Sequence, residues 1–385
     1  MKEDPTFQFV PGLQDVVAAE TRLSKVDGKN GELVIAGFLV EELATRASFE
    51  EVVHLLWHDT LPEAGELKDF RGSLSNKWGL PEATLDLLRA AAKERVPVMD
   101  ALRMGVGTAG LGASGNPLEE PGFDQALMLV ARAPEIVAAY WRMSNGEEVV
   151  GPNPDLGYAE NYLYMLTGEV PETERARALE TYLNTVVDHG MNASTFAARV
   201  IISTRSDIVS AIVGAIGALK GPLHGGAPGP ALDAVFEIGE KDRAEPVLRE
   251  KIEAGEKLMG FGHRIYKVRD PRANVLAAAA KRLYENAGDT NLYELALHVE
   301  KTAIALLEEH KPGRNLQTNV EFYTALLLHG VGLPTELFTP TFAIGRTAGW
   351  TAHCLEQREL DRIIRPESIY VGPEDRSWVP LEERC

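Results

Sequence analysis

Cysteine is nearly absent from this chain, with one at position 354 and one at position 385 of 385 residues. Two thiols cannot build a disulfide framework, and neither lies in a metal-binding spacing. No apolar run reaches the roughly 18 residues that a membrane span requires. The N-terminus, MKEDPTFQFVPG, is acidic and is not followed by an apolar stretch, unlike a signal or transit peptide. We therefore expect a cytoplasmic protein that does not associate with membranes.

Positive charge is also scarce, because 39 Lys and Arg residues stand against 57 Asp and Glu residues, which gives a net charge of −18. Nucleic-acid binding requires a basic face, so we expect no nucleic-acid partner. An acidic chain that binds a small anion has to gather its cations locally. The length exceeds that of one small core and predicts two domains, or one large domain with a second inserted.

Strand signal is sparse, and helical periodicity dominates. Residues 291–310 place apolar side chains along one stripe, which predicts an amphipathic helix. Similar patterns predict helices at 40–57, 82–93, 157–167, 173–187, 209–220, 230–238, 271–287, 320–329 and 341–356. One β-hairpin is expected within 21–37, around the DGKNG turn. The fold class predicted is mostly α, with Gly/Pro-rich joints near 221–230 and 330–334 as candidate hinges.

Two motifs imitate sites without the required context. GVGTAG (105–110) matches the G-x-G-x-x-G pattern, but a helical pattern and not a strand precedes it, so we interpret it as a helix end. His54 and His58 lie one helical turn apart, without a third ligand nearby. We expect one of them to be packed and the other to lie near the surface, and we expect no metal site.

The stretch KGPLHGGAPGP (220–230) holds one titratable ring, His224, within a tight turn close to a predicted helix N-terminus. The positive end of a helix disfavours imidazolium. A neutral imidazole can donate a hydrogen bond to an oxygen that becomes negative, as an enolate oxygen does. The alternative is a histidine that only caps a loop carbonyl.

A basic cluster stands out in GFGHRIYKVRDPR (260–272), whose cationic or titratable members are His263, Arg264, Lys267, Arg269 and Arg272. Gly260 and Gly262 would let the backbone approach a ligand closely. In so acidic a chain this cluster indicates a site for a carboxylate or phosphate. A solvated basic face is the alternative.

Three further cations lie in unusual surroundings. Arg346 lies in the apolar segment AIGRTAGW (343–350), where a buried guanidinium needs a partner. That partner is either a protein carboxylate or a carboxylate-bearing substrate. His189 lies at a helix end in DHGMNAST (188–195), and Arg365 precedes a proline in the last segment.

Thr318 and Glu321 have the T-x-x-E spacing of a capping box at the start of a predicted helix. This spacing predicts a structural role for the Glu321 carboxylate. A carboxylate in a first helical turn is also a candidate general base. The two roles do not exclude each other.

Together these stretches resemble the citrate synthase family. GFGHRIYKVRDPR is similar to the signature of that family, and GPLHGGA, DHGMNAST, NVEFYTALLLHGVGLPTELFTPTFAIGRTAGWTAHCLEQ and RPESIYVG follow in the order of the family. The N-terminal part is similar more loosely. The length suits the shorter, dimeric branch without a leader or an N-terminal regulatory extension.

The resemblance implies a two-domain helical fold with a small N-terminal β-hairpin, in a homodimer with a shared active site. Residues 1–225 and 333–385 would form the large domain, and residues 226–332 a small domain that closes over the active site. The reaction implied is a Claisen condensation of acetyl-CoA with oxaloacetate, followed by hydrolysis of citryl-CoA to citrate and CoA. No cofactor is expected, since the CoA thioester is itself a substrate.

The family's motifs also imply a set of site residues. The catalytic ones are His224, which stabilises the enol, His263, which polarises and protonates the oxaloacetate carbonyl, and Glu321, which removes the methyl proton. The oxaloacetate-binding ones are His189, Arg272, Arg346 and Arg365, the last from the partner subunit. The CoA-binding ones are Lys267, Arg314, Gly260 and Gly262.

The chain departs from the family pattern at the base. Asp is usual in NVDFY, and Glu321 stands in its place. The extra methylene moves the carboxylate by roughly 1.5 Å, and such a shift can cost about a hundredfold in rate. Thr324 and Ala325 replace the usual Ser and Gly, which is a candidate compensation. LVIAGF lacks the Arg of YRGY, and VPVMDALR lacks the His of HPM.

Two alternatives to citrate synthase activity stay open. A 2-methylcitrate synthase would use propionyl-CoA, and the sequence does not size the acyl pocket. A paralogue that binds without condensing would use Glu321 only as a capping residue. Retention of all three His and of the three Arg of the site favours an enzyme, because a pure binding protein has no need of the catalytic imidazoles. These residues are His189, His224, His263, Arg272, Arg346 and Arg365.

Overall fold

The structure, a computed structural model, describes residues 9–111, 122–224, 228–263, 265, 266 and 268–384. Within these residues sixteen α-helices form the bulk of the fold, which confirms the mostly α prediction. The first eight are α1 Val40–Arg46, α2 Phe49–His58, α3 Ala64–Ser75, α4 Glu82–Lys93, α5 Val98–Thr108, α6 Phe123–Ser144, α7 Tyr158–Thr167 and α8 Thr173–Val186. The others are α9 Ala193–Ile202, α10 Ile208–Leu219, α11 Pro228–Ile238, α12 Ala244–Glu253, α13 Pro271–Ala287, α14 Asn291–His310, α15 Val320–Val331 and α16 Phe338–Leu360.

The expected hairpin is present as β1 Ser24–Asp27 and β2 Glu32–Ile35, paired antiparallel. The Asp27 carboxylate accepts hydrogen bonds from the backbone N–H groups of Lys29 and Asn30, both at 3.0 Å, and so closes the turn. A short third strand, β3 Phe38–Leu39, pairs with β2 and was not predicted. Two residues are too few for a periodic signal.

Most predicted helices are confirmed, but the one at 40–57 was wrong and the one at 341–356 is longer than predicted. The single helix expected at 40–57 is two helices, because Ser48 and Glu51 form a capping box that starts α2. The helix expected at 341–356 runs from Phe338 to Leu360. Pro340 lies at its third position, where a missing N–H leaves no intrahelical bond unmade.

The sequence patterns missed helices α3, α6, α9 and α12. The reason is clearest for α6, which contains Pro134 in its interior. A proline normally indicates the end of a helix, because it has no N–H to donate and its ring crowds the preceding turn. The decoy GVGTAG overlaps the end of α5 and is preceded by helix, as expected.

Helix α16 lies at the centre of the fold and packs against α6, α8, α9 and α10. It is buried over most of its length, with Trp350 fully buried and Arg346 only 1% exposed. A Cβ on Gly349 would overlap the carbonyl oxygen of Val187, so this glycine lets α16 approach the segment after α8 closely. This approach builds one wall of the cavity described below.

The helices between Pro228 and Val331 pack on one another, α12 on α14 and both α11 and α13 on α15. Helices α13 and α15 also pack on α8. The boundary between a large domain and a small domain of residues 226–332 stays a prediction. No helix in the described ranges is both long and apolar enough to cross a bilayer.

Candidate active site

A cavity of about 270 Å³ collects most of the residues that the sequence singled out. Six of them line it: His189, His224, His263, Arg272, Glu321 and Arg346. The other lining residues in the described part of the chain are Val186, Leu223, Ile265, Val320, Thr324, Thr339 and Phe342. Residues far apart in sequence therefore meet around one small space.

His189 follows α8 and is buried, with its Nε2 3.1 Å from the hydroxyl of Tyr266. Burial lowers the pKa of His189 well below its ordinary value, and the nearby guanidinium groups of Arg272 and Arg346 lower it further. The ring is therefore neutral at physiological pH. A neutral ring can donate one hydrogen bond to a ligand without adding charge.

His224 lies on the turn after α10, as expected, and its backbone N–H donates to the carbonyl of Gly221 at 2.9 Å. Its Nε2 is 2.7 Å from the hydroxyl oxygen of Ser194, which also accepts the indole N–H of Trp350 at 3.1 Å. Burial lowers the pKa of His224, and the Arg346 charge lowers it further. His224 is thus a neutral imidazole, and Ser194 occupies its Nε2.

His263 has a defined tautomer, because its Nδ1 accepts the backbone N–H groups of Ile265 at 3.0 Å and Tyr266 at 3.1 Å. A ring nitrogen that accepts carries no proton, so the proton of the neutral ring lies on Nε2. His263 is therefore set up as a hydrogen-bond donor through Nε2.

The backbone around Gly260 and Gly262 pairs with the segment before α15. Gly262 N–H donates to the carbonyl of Gln317 at 2.7 Å, and Asn319 N–H donates to the carbonyl of Gly260 at 3.0 Å. Gly260 and Gly262 have φ of +88° and +80°, which non-glycine residues rarely adopt. This pairing brings the loop of His263 beside the start of the helix that carries Glu321.

The tip of the N-terminal hairpin lies against the same loop. A Cβ on Gly28 would overlap the carbonyl oxygen of Ile265. Gly31, with φ of +70°, faces the Val268 side chain at 2.7 Å from the position of its missing Cβ. The DGKNG turn therefore needs glycine both for its own backbone and for the close approach of the loop.

The capping box predicted for Thr318 and Glu321 was wrong. Asn319 is the N-cap of α15, and its side-chain oxygen accepts the N–H of Glu321 at 2.9 Å. Thr318 instead donates its hydroxyl to Glu300 at 2.6 Å. The two cap candidates are adjacent in sequence, and only the tertiary position of Glu300 decides between them. Glu321 thus does not have to cap the helix, and its side chain lines the cavity.

Burial raises the pKa of the Glu321 carboxyl above its ordinary value, although Arg272 acts in the opposite direction. A raised pKa makes the ionised carboxylate a stronger base. Arg272 is itself paired, since its Nε and Nη2 donate to Asp270 at 3.1 and 2.8 Å.

Arg346 is the buried cation whose partner the sequence left open. Its Nε donates to the carbonyl of Val186 at 2.6 Å, and its guanidinium lies 4.6 Å from the ring centroid of Phe342. Among the residues that the structure describes, no carboxylate lies within 4 Å of it, so the first of the two alternatives, an internal salt bridge, is absent. Burial lowers the pKa of Arg346 to about 10, which leaves it charged at neutral pH.

Arg365 and Arg314, which were predicted to bind substrates, do not line this cavity. Arg365 is exposed in the C-terminal segment and does not line the cavity of its own chain. Arg314 is exposed in the loop between α14 and α15. Lys267 lies outside the described residues. The assignment of Arg365 to the partner subunit, and of Lys267 and Arg314 to CoA, stays a prediction.

Sequence reasoning did not single out Ser194, Tyr266, Thr339 or Phe342. Phe342 had a usable signal, since it lies four residues before Arg346 and hence on the same helix face. Ser194 lies inside the DHGMNAST motif, but its contact with His224 spans 30 residues. No local pattern predicts a contact of that kind.

The cavity thus combines neutral imidazole donors, a carboxyl of raised pKa and a buried cation without an internal carboxylate. A family model described as the C-terminal domain of citrate synthase matches residues 12–367. Citrate synthase 2 of Bacillus subtilis is 41% identical over 378 residues, which cover 97% of this chain and 99% of the relative. 2-Methylcitrate synthase of Shewanella oneidensis is 37% identical over 97% of both chains.

A solved structure is also similar: a ternary complex of carboxymethyl coenzyme A and oxaloacetate with citrate synthase from Thermoplasma acidophilum. The TM-score is 0.86 at 31% identity, over 98% of this chain and 100% of that one. The chain belongs to the citrate synthase family, and it is an acyltransferase of the kind that converts the acyl group to an alkyl group on transfer.

Proposed function

We propose that this enzyme condenses acetyl-CoA with oxaloacetate and hydrolyses the resulting citryl-CoA to citrate and CoA. One observation carries the proposal: a single cavity is lined by the neutral His224, the Glu321 carboxyl and the guanidinium of Arg346, which forms no ion pair within the described chain. A thioester methyl group is a very weak acid, so its deprotonation needs a base and a donor for the enolate oxygen together.

The dicarboxylate would bind through Arg346, whose Nη groups have no protein acceptor within the described chain. Arg272 and His189 would complete this subsite from the same wall of the cavity. A guanidinium can bind a carboxylate through two parallel hydrogen bonds, which fixes the orientation of oxaloacetate. His263 would donate from Nε2 to the ketone oxygen.

In the first step the Glu321 carboxylate takes a proton from the acetyl methyl carbon. His224 donates a ring N–H to the thioester oxygen as it becomes negative, while the Ser194 hydroxyl holds the ring through its contact with Nε2. The methyl carbon then forms a bond with the ketone carbon, whose oxygen takes the proton from His263 Nε2. In the hydrolysis, His263 Nε2 regains a proton from water as the hydroxide attacks the thioester carbon of citryl-CoA. The C–S bond breaks, and the CoA thiolate takes the proton held by Glu321, so that citrate and the CoA thiol leave and both side chains return to their first state.

The CoA part of the substrate would lie near Gly260 and Gly262, with Lys267 and Arg314 at its phosphates. Closure of the segment 226–332 over the bound substrates would exclude water until the carbon–carbon bond has formed. The enzyme needs no cofactor for this chemistry, and we expect it to work in the cytoplasm.

The test is thiol release by the purified enzyme with oxaloacetate and either acetyl-CoA or propionyl-CoA. We expect the larger kcat/KM with acetyl-CoA. A larger value with propionyl-CoA would indicate 2-methylcitrate synthase activity, the activity named for the Shewanella relative. No thiol with either donor would leave a binding paralogue as the remaining interpretation.

A second test isolates the enolisation step. We expect His224→Ala to stop exchange of the acetyl methyl protons with solvent, because the enolate loses its donor, while oxaloacetate still binds. The matched control is His298→Ala, because His298 is exposed on α14. Normal exchange in His224→Ala would contradict the assigned role.

We also propose a homodimer in which Arg365 completes the partner's site. The C-terminal segment that carries Arg365 exposes large apolar side chains, among them Tyr370 at 61%, Val371 at 91% and Trp378 at 79%. So many exposed apolar side chains on one segment favour burial against a second copy of the chain.

Complementation tests this arrangement. Arg365→Leu and Glu321→Gln each inactivate a homodimer, but a mixed dimer would contain one complete site, made from Glu321 of one chain and Arg365 of the other. Random mixing would then restore about a quarter of the wild-type activity. Activity that stays at the level of the single variants would show that Arg365 does not act on the partner's site.

A further inference from the structure

Behind the cavity lies a buried network that the proposed reaction does not use. Its members Asp188, Arg199 and His353 are each 0% exposed. None of them lines the cavity. Burying charged and titratable groups costs free energy, so a buried network that binds no ligand is expected to have a structural or functional role.

The first observation is how α16 holds the chain just before His189. Arg346 donates to the carbonyl of Val186 at 2.6 Å, and Gly349 lets the helix touch the carbonyl of Val187. Arg346 and Gly349 lie on one face of α16, three positions apart, and contact two successive residues at the end of α8. His353 continues this pattern.

His353 Nε2 lies 3.1 Å from Oδ1 of Asp188, the residue that directly precedes His189. The second carboxylate oxygen of Asp188 accepts the Ser24 hydroxyl at 2.5 Å and the Gly190 N–H at 3.2 Å. The Asp188 side chain therefore ties the backbone on both sides of His189 to α16 and to β1.

Arg199 fixes the tautomer of His353. Its Nη1 lies 2.9 Å from His353 Nδ1, and a guanidinium has no acceptor, so Nδ1 must accept. The ring proton is then on Nε2 and points at Asp188. Arg199 is itself held by Glu356 at 2.5 Å and by Gln357 at 2.9 Å.

The pKa of Asp188 follows from these contacts. Burial pushes it upward, but the electrostatic and hydrogen-bonding interaction with His353, the charge of Arg346 and the hydrogen bond from Ser24 outweigh burial, and the pKa lies below its ordinary value. Asp188 is therefore a carboxylate at physiological pH and accepts from His353.

We propose that His353 is a positioning residue for His189: through Asp188 it fixes the backbone turn that orients the His189 ring toward the bound ketoacid. The inference rests on the proposed function, since it assigns His189 to the oxaloacetate subsite. His353 touches no substrate and is not a catalytic residue.

The test uses three substitutions at one position. The amide nitrogen of His353→Gln reaches the place of ring Nε2 and can still donate to Asp188. The amide of His353→Asn reaches only the place of Nδ1, and His353→Leu donates nothing. We expect His353→Asn and His353→Leu to raise KM for oxaloacetate about ten- to a hundredfold, because the turn shifts by a fraction of an ångström or more. KM for the acyl-CoA should stay within about twofold.

His353→Gln should recover KM for oxaloacetate to within about threefold of wild type. The control is Gln357→Met, which removes an acceptor of Arg199 from the same buried cluster without touching Asp188. It should lower Tm and leave both KM values unchanged. Equal KM changes for the two substrates, or no rescue by His353→Gln, would overturn the proposal.

A readout without turnover separates this inference from the proposed function. Nitrogen-15 NMR of histidine-labelled wild-type enzyme should find the His353 proton on Nε2 and none on Nδ1. A proton on Nδ1 would overturn the proposal even in an active enzyme. Failure of wild-type enzyme to bind oxaloacetate in calorimetry would instead contradict the proposed function and leave the tautomer assignment standing.

Discussion

Two arginines of this enzyme are equally buried and differently partnered. Arg199, behind the cavity, contacts Glu356, Gln357 and His353. Arg346, in the cavity wall, donates one hydrogen bond to a backbone carbonyl and stacks on Phe342. Their exposed fractions are 0% and 1%, so burial alone does not distinguish them.

The difference lies in what compensates the charge. Glu356 forms an ion pair with Arg199 within the folded chain, whereas Arg346 has no carboxylate within 4 Å among the described residues and interacts with the Asp188 charge only at longer range. A buried charge without a directly bonded counter-ion costs free energy. The fold therefore holds Arg346 at a cost to stability, which a dicarboxylate ligand offsets when it binds.

The largest expected effect is that of Arg346→Leu on catalysis. Loss of a desolvated charge partner costs about 2–5 kcal/mol, so kcat/KM for oxaloacetate should fall by a factor on the order of 1,000. Affinity for CoA should change little, and stability should be unchanged or higher because an unpaired charge is gone. Steady-state kinetics and urea unfolding measure both, and equal loss of affinity for oxaloacetate and CoA would contradict this placement.

The reverse pattern is expected for Arg199→Leu, which breaks a buried pair and leaves Glu356 without its partner. The free energy of unfolding should drop by about 3–5 kcal/mol. Affinity for oxaloacetate, measured on protein that remains folded, should fall far less than in Arg346→Leu. A free energy of unfolding within about 1 kcal/mol of wild type would show that the ion pair of Arg199 does not stabilise the fold, and would contradict the contrast with Arg346.

Glu321→Asp extends the comparison to the acid in the cavity. Shortening the side chain withdraws the carboxylate by roughly 1.5 Å, and kcat should fall by about a hundredfold. Glu50→Asp is a matched control, since Glu50 is buried on α2 outside this cavity. It should change stability and not kcat. Higher activity of Glu321→Asp would show that the backbone does not compensate for the longer side chain.

The smallest expected effect is on the pH dependence. A base works only when ionised, so the raised pKa of Glu321 places the acid limb of kcat/KM above pH 4.5. The folded state also binds this proton more tightly than the unfolded state. The Glu321 carboxyl therefore stabilises the fold at pH values below its pKa in the unfolded state. This stabilisation is lost as the pH rises through its pKa in the folded state.

Glu321→Gln should accordingly be as stable as wild type at neutral pH, or slightly more stable, while turnover is lost. Unfolding in urea at several pH values measures the effect. A marked loss of stability would mean that the Glu321 carboxylate, like Arg199, makes stabilising interactions within the fold. It would then not be a group whose partner is the substrate.

Most of the helices and the hairpin could be predicted from the sequence, because periodicity and turn residues act over a few positions. The elements that were missed show the limit. Helix α6 contains Pro134 in its interior, and a proline in a sequence indicates a helix end, although the buried surroundings of this helix hold it continuous. The boundary between the two domains was proposed from glycine and proline alone, and it stays a prediction.

The candidate site divides in the same way. The sequence singled out His189, His224, His263 and Arg346 as residue types in unusual surroundings, and the fold brings all four to one cavity. It assigned the cap of α15 to Thr318, because a capping spacing was present. Asn319 is the cap, since Glu300, from a different helix, accepts the Thr318 hydroxyl.

By itself, the sequence determined the helical class, the family and the chemical types of the groups at the site, since these follow from local patterns and motifs. Only the tertiary structure decided which charges are compensated inside the protein. Partners such as Arg199 and Glu356 are 157 residues apart, and whether a buried charge is paired or left for a ligand depends on such distant contacts. Electrostatic energy varies with distance in space, and distance along the chain does not determine it.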